Sequence, residues 1–281
     1  MKFGIRLCCV AVLLLLVQAA AAAPPTPRET VTCDGEKLIF KIWSFLAGSP
    51  RPDSVNKIPG ARITRFEAGD GRTLKGVHLS AAIPQPRGWV LAIQGNAWLA
   101  QDLSPYLTPI RDAGFDVYVY DFRGYGMSKP GRRRMAAIVE DYREIAAHLA
   151  DQHDQPGFLY GSSFGGIVLL NALDGFESFG RVVLDAVPAD LDGFDCETDY
   201  RPLANLPGAC ENLLAITGGE DKVVPLPRSQ PLLEAVESCG GHKRVREGLG
   251  HPFQNEDDAV RFERARELAS IFVEALEGRN P

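Results

Sequence analysis

The 281-residue chain is 45% apolar and 23% charged, the balance of an ordinary folded globule, which sets aside a disordered or collagen-like polymer. A formal net charge of −6 gives no basis for a nucleic-acid partner. No internal repeat is present, and the alanine run near the start is the sole low-complexity tract.

The first 23 residues have the build of an export leader. Lys2 and Arg6 supply positive charge, residues 7–17 an apolar run, and Ala19 to Ala23 small residues for cleavage between Ala21 and Pro24. The run is short for a bilayer span, and Cys8 and Cys9 precede it, where a lipid-bearing cysteine would follow. An exported protein, periplasmic or secreted, is therefore expected. Removing the leader leaves roughly 255–260 residues, enough for one domain with its own core.

Residues 24–60 read as an N-terminal extension, and residues 61–281 as the domain proper. Within the extension, Leu38, Ile39, Ile42, Trp43 and Leu46 recur at helical spacing. Packing of this stripe on the body is the first expectation. Contact with a membrane surface or an acyl chain through residues 38–46 is the alternative.

Then come residues 63–66 and 74–79, flanking Gly69-Asp70-Gly71, a hairpin signal. Apolar strand runs follow near 89–94, 116–120, 158–161, 181–186, 213–217 and 243–247. Helical patterns alternate with them near 101–113, 135–152, 164–174, 228–238 and 256–277. Such alternation predicts an α/β fold with a mostly parallel sheet and helices on both faces. Arg132-Arg133-Arg134 reads as a solvated helix start.

Candidate chemistry sits at strand ends. Trp89 to Ile93 run into Gln94-Gly95-Asn96-Ala97, a strand-end turn that could offer the N–H of Asn96 to an oxyanion, with Ala97 next in line. Residues 117–120 run into Asp121-Phe122-Arg123-Gly124-Tyr125-Gly126-Met127-Ser128. Asp121 and Arg123 are read there as architectural, bridging backbone groups.

Residues 158–160 enter Gly161-Ser162-Ser163-Phe164-Gly165-Gly166, and an apolar helix follows. Ser163 has glycine two before and two after it, the G-x-S-x-G spacing of a strained strand–turn–helix nucleophile. Ser162, with Tyr160 and Phe164 at those offsets, does not fit. The helix that opens at Phe164 points its N–H groups and positive dipole end at the reacting oxygen, which makes Phe164 the second oxyanion candidate.

Downstream, residues 213–217 lead into Gly218-Gly219-Glu220-Asp221-Lys222-Val223-Val224-Pro225. Gly250-His251-Pro252 then precede the last helix. Ser163, Asp221 and His251 give the order nucleophile, acid, base. Glu220 competes with Asp221. His78, His148, His153 and His242 compete with His251, which alone lies between the last strand and the last helix.

With these motifs, the chain from about Arg62 onward resembles the α/β-hydrolase superfamily. "QGNA", "DFRGYGMS" and "GSSFGG" together are similar to its small-cap "HGNA" branch of esterases, thioesterases and lysophospholipase-like enzymes. The resemblance implies a serine hydrolase working through an acyl-enzyme on a small-molecule acyl ester, with no metal or other cofactor. An exported peptidase, or a non-catalytic binding protein on the same scaffold, are the other readings. Gln94 departs from the branch, which has histidine there to support the oxyanion loop.

Residues 188–212 fall where such enzymes carry a cap. The stretch is short and acidic, with Asp190, Asp192, Asp195, Glu197 and Asp199, so an open site is expected.

After the leader, four cysteines remain, Cys33, Cys196, Cys210 and Cys239, an even count for an oxidising compartment. Of three pairings, Cys196–Cys210 with Cys33–Cys239 is favoured, because the first pair brackets one insertion.

Overall fold

A computed structural model describes residues 35–131, 134–191, 200–254 and 257–279. The leader, Cys33, Arg132 and Arg133, Cys196 and the acidic residues 192–199 lie outside these ranges.

One eight-stranded sheet organises the described residues, in the order β1-β2-β4-β3-β5-β6-β7-β8. The strands are β1 Ala61–Glu67, β2 Thr73–Leu79, β3 Gly88–Ile93, β4 Phe115–Tyr120, β5 Gly157–Ser162, β6 Arg181–Asp185, β7 Leu213–Gly218 and β8 His242–Arg246. β1 and β2 form the predicted antiparallel hairpin, and β2 also runs antiparallel to β4. From β4 to β8 every pairing is parallel.

Eight α-helices accompany the described strands: α1 Glu36–Leu46, α2 Pro52–Val55, α3 Ala100–Leu103, α4 Thr108–Asp112, α5 Met135–Gln152, α6 Phe164–Ala172, α7 Leu226–Ser238 and α8 Asp258–Leu276. They cover both faces of the sheet, so strands β3 to β7 are buried at every position rather than at alternate ones. Leu91, Ile93, Leu159, Leu184 and Leu213 face one side, against α1, α5, α6 and α7. Val90, Ala92, Phe158, Val183 and Leu214 face the other, against α3, α4 and α8. α5 shows how such a helix is specified: Met135, Ile138, Val139, Tyr142, Ile145, Ala146 and Leu149 recur every three or four residues and are all buried.

Three expectations are corrected. The helix expected over 101–113 is broken: α3 passes into a 3₁₀ turn at Ser104–Leu107 and then α4. Pro105 and Pro109 lack the amide hydrogens a continuous helix would use. Arg123 does not bridge backbone groups. Its guanidinium grips the Asp141 carboxylate through two nitrogens and also bonds Asp70, and these carboxylates raise its pKa further. Asp121 does bridge backbone: its two oxygens accept from Ala100 N and Met127 N, each at 2.7 Å.

The third correction is the disulfide. Cys210 pairs with Cys239, with Cα atoms 5.3 Å apart, so neither Cys196–Cys210 nor Cys33–Cys239 forms. After β7, α7 folds back along the sheet and returns the chain to the start of that strand. Cys210 N donates to the carbonyl of Cys239 at 3.1 Å.

Candidate active site

Ser163 stands between β5 and α6 with φ 50° and ψ −118°, a conformation L-residues rarely adopt. The flanking glycines make the turn sterically feasible. A Cβ at Gly161 would lie 2.7 Å from Gly166 Cα, and one at Gly165 would overlap the carbonyl oxygen of Ile93. That second approach brings the start of α6 against the end of β3. The turn is also held from β6, whose Asp185 carbonyl accepts from Ser163 N at 2.8 Å. Ser163 is half-buried, while Ser162 is 4% exposed inside the strand.

The acid and the base meet across the neighbouring strand ends. Asp221 follows β7, and its Oδ2 lies 2.7 Å from Nδ1 of His251 in the loop after β8. Its other oxygen accepts from Val223 N and Val224 N at 2.8 Å each, so three contacts fix the orientation of the buried carboxylate. Glu220, one residue earlier, is exposed. With Nδ1–H donating to the carboxylate, the neutral imidazole keeps Nε2 free to accept a proton. Both side chains are buried, so this pair works outside bulk water.

A second His–Asp pair exists. His78 Nε2 lies 3.1 Å from Asp116 Oδ1, and the His78 ring stacks on Tyr118. It sits at the amino end of β4, opposite the strand ends that carry Ser163 and His251. His153 bonds the Tyr118 hydroxyl at 3.0 Å, and burial lowers its pKa. Burial also lowers that of His242, at the first position of β8. His148 is exposed on α5.

Asn96 lies in the turn after β3. A Cβ on its neighbour Gly95 would stand 3.8 Å from Ser163 Cβ, so this loop borders the serine. Phe164 opens α6, and an N–H at that position has no acceptor within its own helix. The Phe164 ring is packed edge-on against Phe40, Trp43 and Phe122 at 5.6, 5.4 and 5.2 Å.

Gln94 replaces the branch's histidine and ties strand ends together. Its Nε2 donates to Tyr120 O at 2.8 Å, while Oε1 is buried with no hydrogen-bond partner among the described residues. It lines a narrow crevice shared with Trp98, Ser162, His251 and Phe253. A wider cleft of about 390 Å³ flanks the other side of His251, lined by Glu220, Lys222, Gly250, Gln254 and Asp257.

Arg264 on α8 escaped the sequence reading. It is 1% exposed, its Nη2 donates to the carbonyl of Gly250 at 2.7 Å, and its Nη1 lies 3.8 Å from Asp185 Oδ2. Tyr160 donates to the same Asp185 oxygen at 3.1 Å. Arg264 thus joins the loop of His251 to the strand end that holds Ser163. The available signal was a charged residue in register with buried Leu268 and Ile271 of the same helix.

An antiparallel hairpin feeding a parallel sheet, with candidate residues at the carboxyl ends of three of its strands, defines the α/β-hydrolase fold. Residues 84–186 match the profile of the Hydrolase_4 family, described as serine aminopeptidase, S33. The uncharacterized protein Rv2307c of Mycobacterium tuberculosis is 25% identical over 238 residues, covering 76% of this chain and 83% of its own. Among solved structures, a thermostable carboxyl esterase from Bacillus coagulans superposes with a TM-score of 0.62 at 15% identity, covering 77% of this chain and 99% of its own. A Mycobacterium tuberculosis puromycin-hydrolyzing peptidase gives 0.59 at 19%, covering 79% and 40%. The chain has the α/β-hydrolase fold, and over residues 84–186 it is similar to the Hydrolase_4 family.

Proposed function

We propose that the protein is an exported serine hydrolase that cleaves a carboxylic ester or thioester, lipid-like or of a small acyl group, through an acyl-enzyme. The observation that carries this reading is the buried Asp221–His251 pair at 2.7 Å, at the same side of the parallel strands as a serine held at φ 50°. In the proposed mechanism Ser163 Oγ attacks the acyl carbonyl carbon while His251 Nε2 takes its proton. The carbonyl oxygen gains negative charge and is held by the N–H groups of Asn96 and Phe164. The tetrahedral centre collapses, His251 returns the proton to the leaving alcohol or thiol, and the acyl group stays on Ser163. Water, deprotonated by His251, then releases the acid. Asp221 fixes the imidazole tautomer and stabilises its cation throughout. Export is supported by the leader-like first 23 residues and by the Cys210–Cys239 bridge, a bond that persists in oxidising compartments.

An exported amide or peptide hydrolase is the second reading, favoured by the family profile over residues 84–186. A fluorophosphonate probe tests the shared chemistry. It should label the folded protein, Ser163→Ala should abolish labelling, and Ser162→Ala should leave most of it. Labelling that persists without Ser163 would remove the nucleophile assignment. Acyl esters of graded length assayed beside aminoacyl amides then separate the readings: turnover confined to amides would overturn the esterase.

A further inference from the structure

Helix α1 has two unlike faces. Glu36, Phe40 and Ser44 are buried, and Phe40 and Trp43 lie against Phe164, the residue after Ser163. Glu36 is held by the amide of Met135, and the Tyr125 hydroxyl donates to Phe40 O at 3.3 Å. This arc fixes the helix to the body. The opposite arc carries Leu38, Ile42, Phe45 and Leu46, exposed by 63, 47, 82 and 62%. At 100° per residue these four form one continuous stripe, and Lys37 and Lys41, both exposed, border one edge of it. The one acid of the helix, Glu36, is 3% exposed and turned inward. The outer surface is therefore apolar and cationic, with no anion.

We propose that α1 docks the enzyme on an anionic lipid surface, from which acyl esters reach Ser163; the second half rests on the esterase reading above. An apolar stripe edged by lysines is the build of a helix that lies in a membrane interface. Its apolar residues enter the acyl boundary, and its lysines meet anionic headgroups. Eleven residues are too few to span a bilayer, so the contact is one of surface. The charge pattern disfavours a second copy as the occupant. An isologous pairing would bring four lysines together with no acid on the helix to meet them. The geometry also gives the docking a use. The inner arc of α1 rests on Phe164 and the outer arc on lipid, so the nucleophile turn lies about one helix diameter, roughly 10 Å, from the surface. The expected packing on the body is found on the inner face, and the proposal assigns the membrane-surface alternative to the outer one.

The test is co-sedimentation of the full chain, as Ser163→Ala to prevent turnover, with vesicles of phosphatidylglycerol and phosphatidylcholine and with phosphatidylcholine alone. The protein should partition to the anionic vesicles and less to the neutral ones, and added salt should weaken binding. Lys37→Gln with Lys41→Gln should reduce partitioning on the order of tenfold or more. Leu38→Ser with Phe45→Ser should reduce it at least as much. Hydrolysis of a short soluble ester by the same variants carrying Ser163 should be unchanged. Failure of the protein to bind either vesicle, or binding indifferent to both pairs, would overturn the proposal. A dimer in light scattering that Phe45→Ser dissolves would assign the stripe to a second copy instead. Vesicle binding without hydrolysis of any ester would overturn the enzymatic reading alone, and hydrolysis without binding would overturn the docking alone.

Discussion

Asp221 and Glu220 are adjacent acids with opposite surroundings. The Asp221 side chain is fully buried and divided between His251 and two backbone N–H groups, whereas Glu220 is exposed. Asn at 221 would keep the shape. Its amide would either hold the imidazole in the other tautomer or leave two backbone N–H groups without an acceptor. Loss of the orienting carboxylate costs on the order of 10⁴ in turnover in a serine protease triad. Asp221→Asn should therefore impair kcat severely with little change in expression or fold, and Glu220→Gln should have a mild effect. Steady-state kinetics on one soluble ester decides it, and the reverse order of severity would refute the assignment of the acid. The candidate triad was readable because its constraints are local. Each signal spans a few residues only: glycines at fixed offsets around Ser163, an acid just past a strand, and a histidine in the loop before the last helix. Arg264 was not readable, because its partners, Gly250 and Asp185, are brought to it from 14 and 79 positions away by packing.

Between elements, Asp121 is the joint that leaves a thermodynamic trace. It directly follows β4 and holds the first residue of α3 and the turn at Met127, so it anchors the segment that follows Asn96. Burial pushes its carboxyl up to about 6 from 3.8, against the pull of those two backbone donors. Between these values the folded chain keeps a proton that the unfolded chain has released. The group's contribution to stability therefore falls as pH rises through the window, by about 3 kcal/mol at 1.36 kcal/mol per unit. Asp70 and Asp116, whose pKa values are lowered, slope the opposite way, so the difference between two proteins is the quantity to measure. Urea unfolding at pH 4, 5, 6 and 7 should show wild type losing roughly that amount relative to Asp121→Asn as pH rises. A difference independent of pH would show that Asp121 is ionised throughout. The sequence carried elements well where one periodicity ruled, as in α5, expected and found over 135–152. It failed over 101–113, where helical spacing continues through two prolines that the backbone cannot ignore. It blurred α1, whose residues at helical spacing serve two opposite faces.

At the scale of the molecule, a mostly parallel sheet covered on both faces follows from alternating strands and helices, but long-range covalent pairing does not. Four cysteines allow three connectivities, and proximity in sequence favoured Cys196–Cys210. Packing chose otherwise: α7 returns along β7, and Cys239 meets Cys210 across a separation of 29 residues. Closing a loop of that length removes chain entropy from the unfolded state worth roughly 3–4 kcal/mol in the loop-closure account. That is a sizeable part of the 5–15 kcal/mol by which domains are stable. The bridge lies at the amino end of β7, away from the strand ends where Ser163 and His251 sit, so its loss should weaken the fold before it disturbs the chemistry. Peptide mapping of the protein purified without reductant, under non-reducing conditions, should recover a Cys210–Cys239 crosslink. Cys210→Ser with Cys239→Ser should lower unfolding free energy by roughly the stated amount. Activity on a soluble ester, measured well below the melting temperature, should be nearly unchanged. A recovered Cys196–Cys210 crosslink would restore the pairing that sequence proximity favoured. A double variant as stable as the parent would mean that the packing of α7 on β7 holds this end of the sheet without covalent help.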